Sequence, residues 1–166
     1  MSFNIVGLCT AIANITPASL GMTKVFDLNT TPDEIQERDC PCLWPNVNDG
    51  IWDVNEIQRI SFGPGGTLST DAKKNIAYLL RYRVCYAPSG AGRNALKTHI
   101  QKMATAMSTL ITYFIANEDA VCSSGKVLEF HPMRVTQAGT VIDPSGKEFH
   151  GCDIVFYVLE FAEVHP

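Results

Sequence analysis

Positive charge is not in excess in this sequence: 13 Lys and Arg stand against 17 Asp and Glu, a formal net charge of −4. A surface made to grip nucleic acid needs a basic face, so this balance argues against general DNA or RNA binding. No apolar run approaches the roughly 20 residues that a membrane helix needs, and the longest candidates are interrupted by Thr, Lys or Asp. The stretch from Met1 to Ile15 has neither the basic start nor the small-residue cleavage site of a secretory signal. Internal repeats are missing, and no linker is long enough to divide the chain. What is present is a globular composition, 46% hydrophobic and 18% charged, over 166 residues. That length suits one domain, residues 1–166, with a full core and no membrane association.

Recognisable catalytic patterns are lacking as well. There is no Gly-x-Ser-x-Gly elbow, and Ser69, Ser89 and Ser123 fall in expected loops without a suggestive neighbour. The carboxylates Asp33, Glu34 and Glu37 suit the start of a helical turn, and Glu118 and Asp119 a helix end facing water. Neither group supplies an acid and a base in separated environments. Six cysteines are scattered through the chain: Cys9, Cys40, Cys42, Cys85, Cys122 and Cys152. A core of this size does not require disulfides, so reduced thiols in a cytosolic compartment are expected. Cys40-Pro41-Cys42 has one residue between its thiols, where zinc ribbons and redox pairs want two. Spacing gives no support for a metal held by His131, His150, Cys122 and Cys152. No catalytic residue, cofactor or metal ligand is therefore assigned.

The elements follow from hydrophobic periodicity. Ile5, Leu8, Cys9, Ile12 and Ile15 make one stripe of a helix over Phe3 to Asn14, with Ser2 as its cap. Thr23 to Leu28 alternates as a short strand would, and Thr31-Pro32-Asp33-Glu34 has the form of a capping box opening one helical turn. Pro41 and Pro45 bracket Leu43 and Trp44 in an edge strand or shaped loop. Ile51 to Phe62 is a strand candidate, and the polar stretch from Gly63 to Lys74 a loop.

The strongest signal is at 76–117. Ile76, Tyr78, Leu80, Tyr82, Val84 and Tyr86 alternate with Ala77, Leu79, Arg81, Arg83 and Cys85, which predicts a long strand with one buried face. After the bend Ala87 to Arg93 the period changes: Leu96, Ile100, Met103, Met107, Leu110, Ile111 and Phe114 mark an amphipathic helix of about six or seven turns. The remainder reads as strands over Lys126 to Gln137, bent at Pro132, over Thr140 to Ile142, and over Phe149 to Phe161. The last is apolar on both sides between Ile154 and Leu159, which requires a second layer or a partner subunit. The fold class is thus α+β, a mainly antiparallel β-sheet with an N-terminal helix and one long central helix packed on it.

Three features bear on function. The bend at 87–93 lies where phosphate-binding loops occur, but Arg93-Asn94 replaces the Lys-Ser/Thr that such a loop needs, and the upstream glycine is missing. Arg81 and Arg83 project together from the strand, either into solvent or into a subunit contact, since Arg is enriched at interfaces. Trp44 and Trp52 are either core anchors or contact residues.

The order of elements, with Ile35-Gln36-Glu37-Arg38-Asp39-Cys40-Pro41, Leu43-Trp44-Pro45 and above all Arg81-Tyr82-Arg83-Val84-Cys85-Tyr86-Ala87-Pro88-Ser89-Gly90-Ala91-Gly92-Arg93, resembles the tail terminator (tail completion) family of long-tailed phages. The resemblance covers about two thirds of the chain in pattern. It implies a non-enzymatic structural protein of the virion tail, made in the host cytoplasm. Such a protein forms a ring, six-membered in the family, on the head-proximal end of the tail tube. There it ends tube polymerisation and meets the head connector as part of the head–tail joint. Its partners are further copies of itself, the major tail tube protein and the connector or neck protein, while DNA passes through without specific binding. The interface candidates under this reading are Arg81, Arg83 and Arg93, with Trp44 and Trp52. A different phage neck or tail tube protein is a near relative of this reading. The competing reading is a small nucleotide- or metal-binding enzyme or ligand-binding domain that uses the 87–93 loop.

Overall fold

In the computed structural model, residues 4–59, 74–90, 93, 95–122 and 127–162 are described. The elements are helix α1 (Ile5–Ala13), strands β1 (Lys24–Val25), β2 (Cys42–Pro45), β3 (Trp52–Arg59) and β4 (Lys74–Pro88), helix α2 (Leu96–Ala116), and strands β5 (Val127–Val135), β6 (Gly139–Ile142) and β7 (Glu148–Ala162). The class is α+β, as the periodicities predicted: among the described residues there are two helices and one large curled sheet of seven strands.

The sheet is organised by β4 and β7, which pair antiparallel along their whole length from Lys74↔Ala162 to Pro88↔Phe149. Each half of this ribbon has its own flanks. Toward Pro88, β2 lies beside β4 and β6 beside β7, with β1 added parallel to β2. Toward Lys74, β3 lies beside β4 and β5 beside β7. A register shift between Cys85 and Ala87 bends β4 just before it leaves the sheet, which aims the chain toward α2.

One face of the ribbon carries the helices. Ile76, Tyr78, Leu80, Tyr82 and Val84 of β4 join Cys152, Ile154, Phe156 and Val158 of β7 in a core. Leu8, Cys9 and Ile12 of α1 and Met107, Leu110 and Phe114 of α2 close it from above. Its centre is aromatic: Phe156 lies 4.9 Å from Phe114 and 4.8 Å from Phe130, between ring centroids. Between the helices, a 3₁₀ turn at Pro17–Leu20 ends on Gly21, whose φ of 68° suits glycine. A Cβ at Gly21 would also stand 3.2 Å from the Ala106 carbonyl oxygen, so α2 packs closely on that turn.

Burial raises the Cys9 thiol to about 11 and the Cys152 thiol to about 12, so both act as small apolar core residues. Glu160, an acidic residue, is only 4% exposed on the same face. It accepts the Asn4 N–H at 2.8 Å and the Tyr78 hydroxyl at 3.0 Å, which ties the start of α1 to β7. Burial, with Glu160 beside it, holds the Tyr78 hydroxyl protonated well above the ordinary tyrosine range.

The opposite face bears a smaller core of Phe26, Ile35, Cys42, Trp44, Cys85 and Phe149, covered by the 26–40 segment. This segment departs from expectation. The helical turn predicted at Thr31–Glu34 is a pair of bends, and a 3₁₀ turn forms instead at Glu37–Asp39. The Thr31 hydroxyl donates to the Asp27 carbonyl at 2.6 Å, so it serves the preceding turn and not a helix cap. The strand predicted over Thr23–Leu28 is reduced to Lys24–Val25.

The segment is held by Asp143, 0% exposed in the β6–β7 turn. One of its carboxylate oxygens accepts from Ser145 N, Ser145 Oγ and Lys147 N at 2.7–3.0 Å. The other accepts the Ile35 N–H at 2.8 Å, across 108 residues of sequence. Asp143→Ala leaves the buried Ile35 N–H without an acceptor and opens the turn at Ser145 and Lys147, so urea denaturation should show a loss of about 1–3 kcal/mol. Asp143→Asn, which keeps one acceptor oxygen, should lose less; equal losses would show that the carboxylate is not the tether.

Candidate functional site

The described residues place the five sequence-predicted interface residues in different environments. Arg83 is the most informative. It stands opposite Asp153 of β7 and Trp44 of β2, and its side chain is 7% exposed. Its Nε donates to Asp153 Oδ1 at 2.6 Å and its Nη2 to Asp153 Oδ2 at 3.0 Å, a bidentate pair. Nη2 also donates to Asp49 Oδ2 at 2.5 Å, and Nη1 to the Ile142 carbonyl at 3.0 Å. The guanidinium lies 5.9 Å from the Trp44 ring. Asn46, 1% exposed, reaches both carboxylates, at 3.2 Å for Asp49 and 3.4 Å for Asp153. The Asn46 hydrogen bond, followed by Arg83, holds the Asp49 carboxyl below the usual carboxylate range.

Arg83, read from sequence as solvated or as a subunit contact, is thus spent inside its own chain. It clamps the β2–β3 turn, β4, β6 and β7. The reason is cross-strand: its register partner on β7 is an aspartate, which no periodicity within β4 alone could reveal. Trp44 is 0% exposed and donates its Nε1–H to Cys85 Sγ at 3.3 Å, so of its two readings the structure selects the core anchor.

The remaining three reach the surface. Arg81 has a 34% exposed side chain and faces Asp53 of β3 at 3.6 Å, an exposed pair of little energetic weight. Arg93 is exposed between the described part of the bend and α2. Trp52, at the start of β3, is 50% exposed. Several exposed apolar residues lie outside those candidates, among them Leu128 and Met133 on β5, 48% and 59% exposed, Ile115 near the end of α2, 59% exposed, and Ile100, which the helical stripe had turned inward, 42% exposed. The exposure of Leu128 and Met133 follows register shifts in β5 between Val127 and Glu129 and between Pro132 and Arg134, which displace one residue each from the alternation. Pro132 was the available signal for one of them.

The groups weighed for chemistry do not gather into one centre. Ala91, Gly92 and Asn94 of the candidate phosphate loop lie outside the described residues, as do Ser69 and Ser123. At the foot of that loop, Ser89 N–H donates to Glu148 O at 3.1 Å, and α2 begins behind Ala95 with no side-chain cap. His150 is buried and stacks toward His99 of α2, ring centroids 5.8 Å apart. His131 stacks on Tyr157 at 5.2 Å, on the other face of the sheet. A cavity of about 270 Å³ is lined by Asp119, Cys122, Leu128, Glu129, Phe130 and His131. Among the described residues, no group of three or more His, Cys, Asp or Glu side chains is placed to hold a metal ion. None of the six cysteines is joined in a disulfide. No helix among the described residues is long and apolar enough to cross a membrane, a statement that does not extend to β-barrel spanning.

A search of protein-family models returns no match for this chain, and a search of curated proteins returns none.

Proposed function

We propose that the protein is a structural component of a phage tail, assembling as a ring that caps the head-proximal end of the tail tube, ends its growth and contributes to the head–tail joint. The observation that carries this reading is the distribution of exposed apolar side chains. Trp52 lies on β3 at one margin of the sheet, and Leu128 and Met133 lie on β5 at the other. Among the described residues, β3 pairs only with β4 and β5 only with β7, so each presents an outer edge. Register shifts and Pro132 blunt these edges against strand addition, which leaves side-chain contact as the mode of association. The two margins are chemically different, and unlike patches meeting head to tail generate a ring when the rotation between copies closes. Six copies, the tail tube protein and the connector protein follow from the family resemblance. Arg81 and Arg93 are available to such contacts; Arg83 and Trp44 serve them indirectly by fixing the sheet.

Native mass measurement, alone and with purified tail tubes, tests the proposal. The wild-type chain should form a discrete oligomer, or close into one on the tube end and halt tube growth seen by electron microscopy. Trp52→Glu and Met133→Glu should each abolish the oligomer. Mixed together, they should give a one-to-one pair that grows no further, because each retains one intact margin. A chain that stays monomeric with and without tubes, and never arrests them, would overturn the reading. A clear stabilising hit by a nucleotide in thermal-shift screening would favour the ligand-binding alternative.

A further inference from the structure

Three thiols converge behind Trp44. Cys42 and Cys85 are direct cross-strand partners in the β2–β4 pairing, and both are 0% exposed. Cys40 is half-buried at the edge of the same small core, its Sγ 3.8 Å from the Gln36 carbonyl oxygen. Cys42 thus stands two residues after Cys40 in the chain and opposite Cys85 in register, and these two neighbours, with burial, push its thiol far above the ordinary range. The thiols therefore pass from the half-buried Cys40 to the fully buried pair Cys42 and Cys85. Directly opposed residues of an antiparallel pair have Cα atoms about 4.5–5.5 Å apart, within the span that a disulfide bridges.

We propose that Cys40, Cys42 and Cys85 form a thiol–disulfide exchange site, in which Cys40 reacts with a small soluble disulfide and the product is a buried Cys42–Cys85 cross-strand bond. The Cys40 thiolate attacks one sulfur of the disulfide RSSR; its S–S bond breaks, and RS⁻ leaves to take up a proton as RSH. Cys42, having lost its proton, attacks Cys40 Sγ of the mixed disulfide and expels the second RS⁻, again protonated to RSH. The Cys85 thiolate then attacks Cys42 Sγ, and Cys40 departs as a thiolate that recovers the proton Cys85 gave up. In sum, RSSR is reduced to two RSH, Cys42 and Cys85 are oxidised, and Cys40 is regenerated.

Two features drive the last step inward. A disulfide between Cys40 and Cys42 must close over a single residue, a strained arrangement, while the cross-strand pair has the Cα spacing of directly opposed residues, within the span a disulfide bridges. The Cys42 thiol beside it, together with the Trp44 Nε1–H, also holds the Cys85 thiol below its ordinary range, which favours the attacking thiolate. The bond would fasten β2 to β4 beneath the segment covering the small core.

The test treats the full-length chain with oxidised glutathione, caps free thiols after denaturation, and maps peptides by mass. Expected are a Cys42–Cys85 linked peptide, a capped Cys40, and a chain mass lower by two hydrogens. In a Trp52→Phe background the remaining Trp44 emission should fall on oxidation and return with dithiothreitol. The oxidised chain should melt higher by roughly 5–10 °C. Cys42→Ala should retain one glutathionyl group on Cys40, and Cys85→Ala should stop at a Cys40–Cys42 bond. Recovery of Cys42 and Cys85 fully capped from oxidised wild-type protein would overturn the proposal, as would glutathionylation confined to Cys122. The wild-type mapping decides the matter even if an alanine variant fails to fold.

Discussion

Arg83→Met is expected to lower the unfolding free energy by about 3–5 kcal/mol, the usual loss when one partner of a buried ion pair is removed. The loss comes mainly from what remains. The Asp153 carboxylate is left on a sheet face where its side chain is 23% exposed, with Asn46 as its remaining side-chain partner among the described residues. The Ile142 carbonyl loses its donor, and Asp49 loses its cation. Asp49→Ala should cost far less, because that carboxylate is 55% exposed and water replaces much of its interaction. Replacing Arg83 and Asp153 together by apolar residues should recover much of the single-variant loss, since the isolated charge is then gone. Denaturation of the four proteins in a double-mutant cycle measures this; additive losses would show that the clamp is not a unit. A pH dependence accompanies it. Asp49 has a folded pKa below its unfolded value, so its contribution is complete above the unfolded pKa and disappears as pH falls through the folded one. The Arg83→Met variant should therefore lose stability less steeply on acidification than the wild type.

Gly151→Ala should have an effect at least as large, and for a steric reason. Gly151 faces Cys85 across the ribbon, at the point where β4 shifts register. A Cβ there would stand 1.9 Å from the Val84 carbonyl oxygen and 2.8 Å from Val141 Cγ2. The first clash is with backbone, so no rotamer change relieves it, and β4 and β7 must separate. Ordinary core overpacking costs about 1–3 kcal/mol; a backbone clash in the central strand pair should exceed that and leave little native protein. Far-ultraviolet circular dichroism with urea titration reads the result. A Gly151→Ala chain with wild-type midpoint would show that the ribbon is looser there than its geometry implies. Val141→Ala removes the second contact alone and should not rescue the variant.

The sequence by itself determined most of the elements, because the signals involved are local. The alternation from Ile76 to Val84 set the helix-facing side of β4, with all five of those residues 2% exposed or less. The step of three and four from Leu96 set α2, whose buried residues Met103, Met107, Leu110 and Phe114 were all in the predicted stripe. Periodicity failed where alternation is interrupted: at β5, where register shifts expose Leu128 and Met133, and at 31–34, where a hydroxyl with capping spacing serves a turn instead. The role of Arg83 was decided only by tertiary structure. A strand pattern gives the face of a side chain but not its partner, and the partner depends on the register against β7. The same holds for the thiols. Cys40-Pro41-Cys42 has a spacing without meaning for metal or redox chemistry along the chain, and acquires one only when β2 lies against β4 and brings Cys85 beside it. Local periodicity is written in one segment, whereas charge clamps and thiol clusters need two or more segments aligned to within a residue.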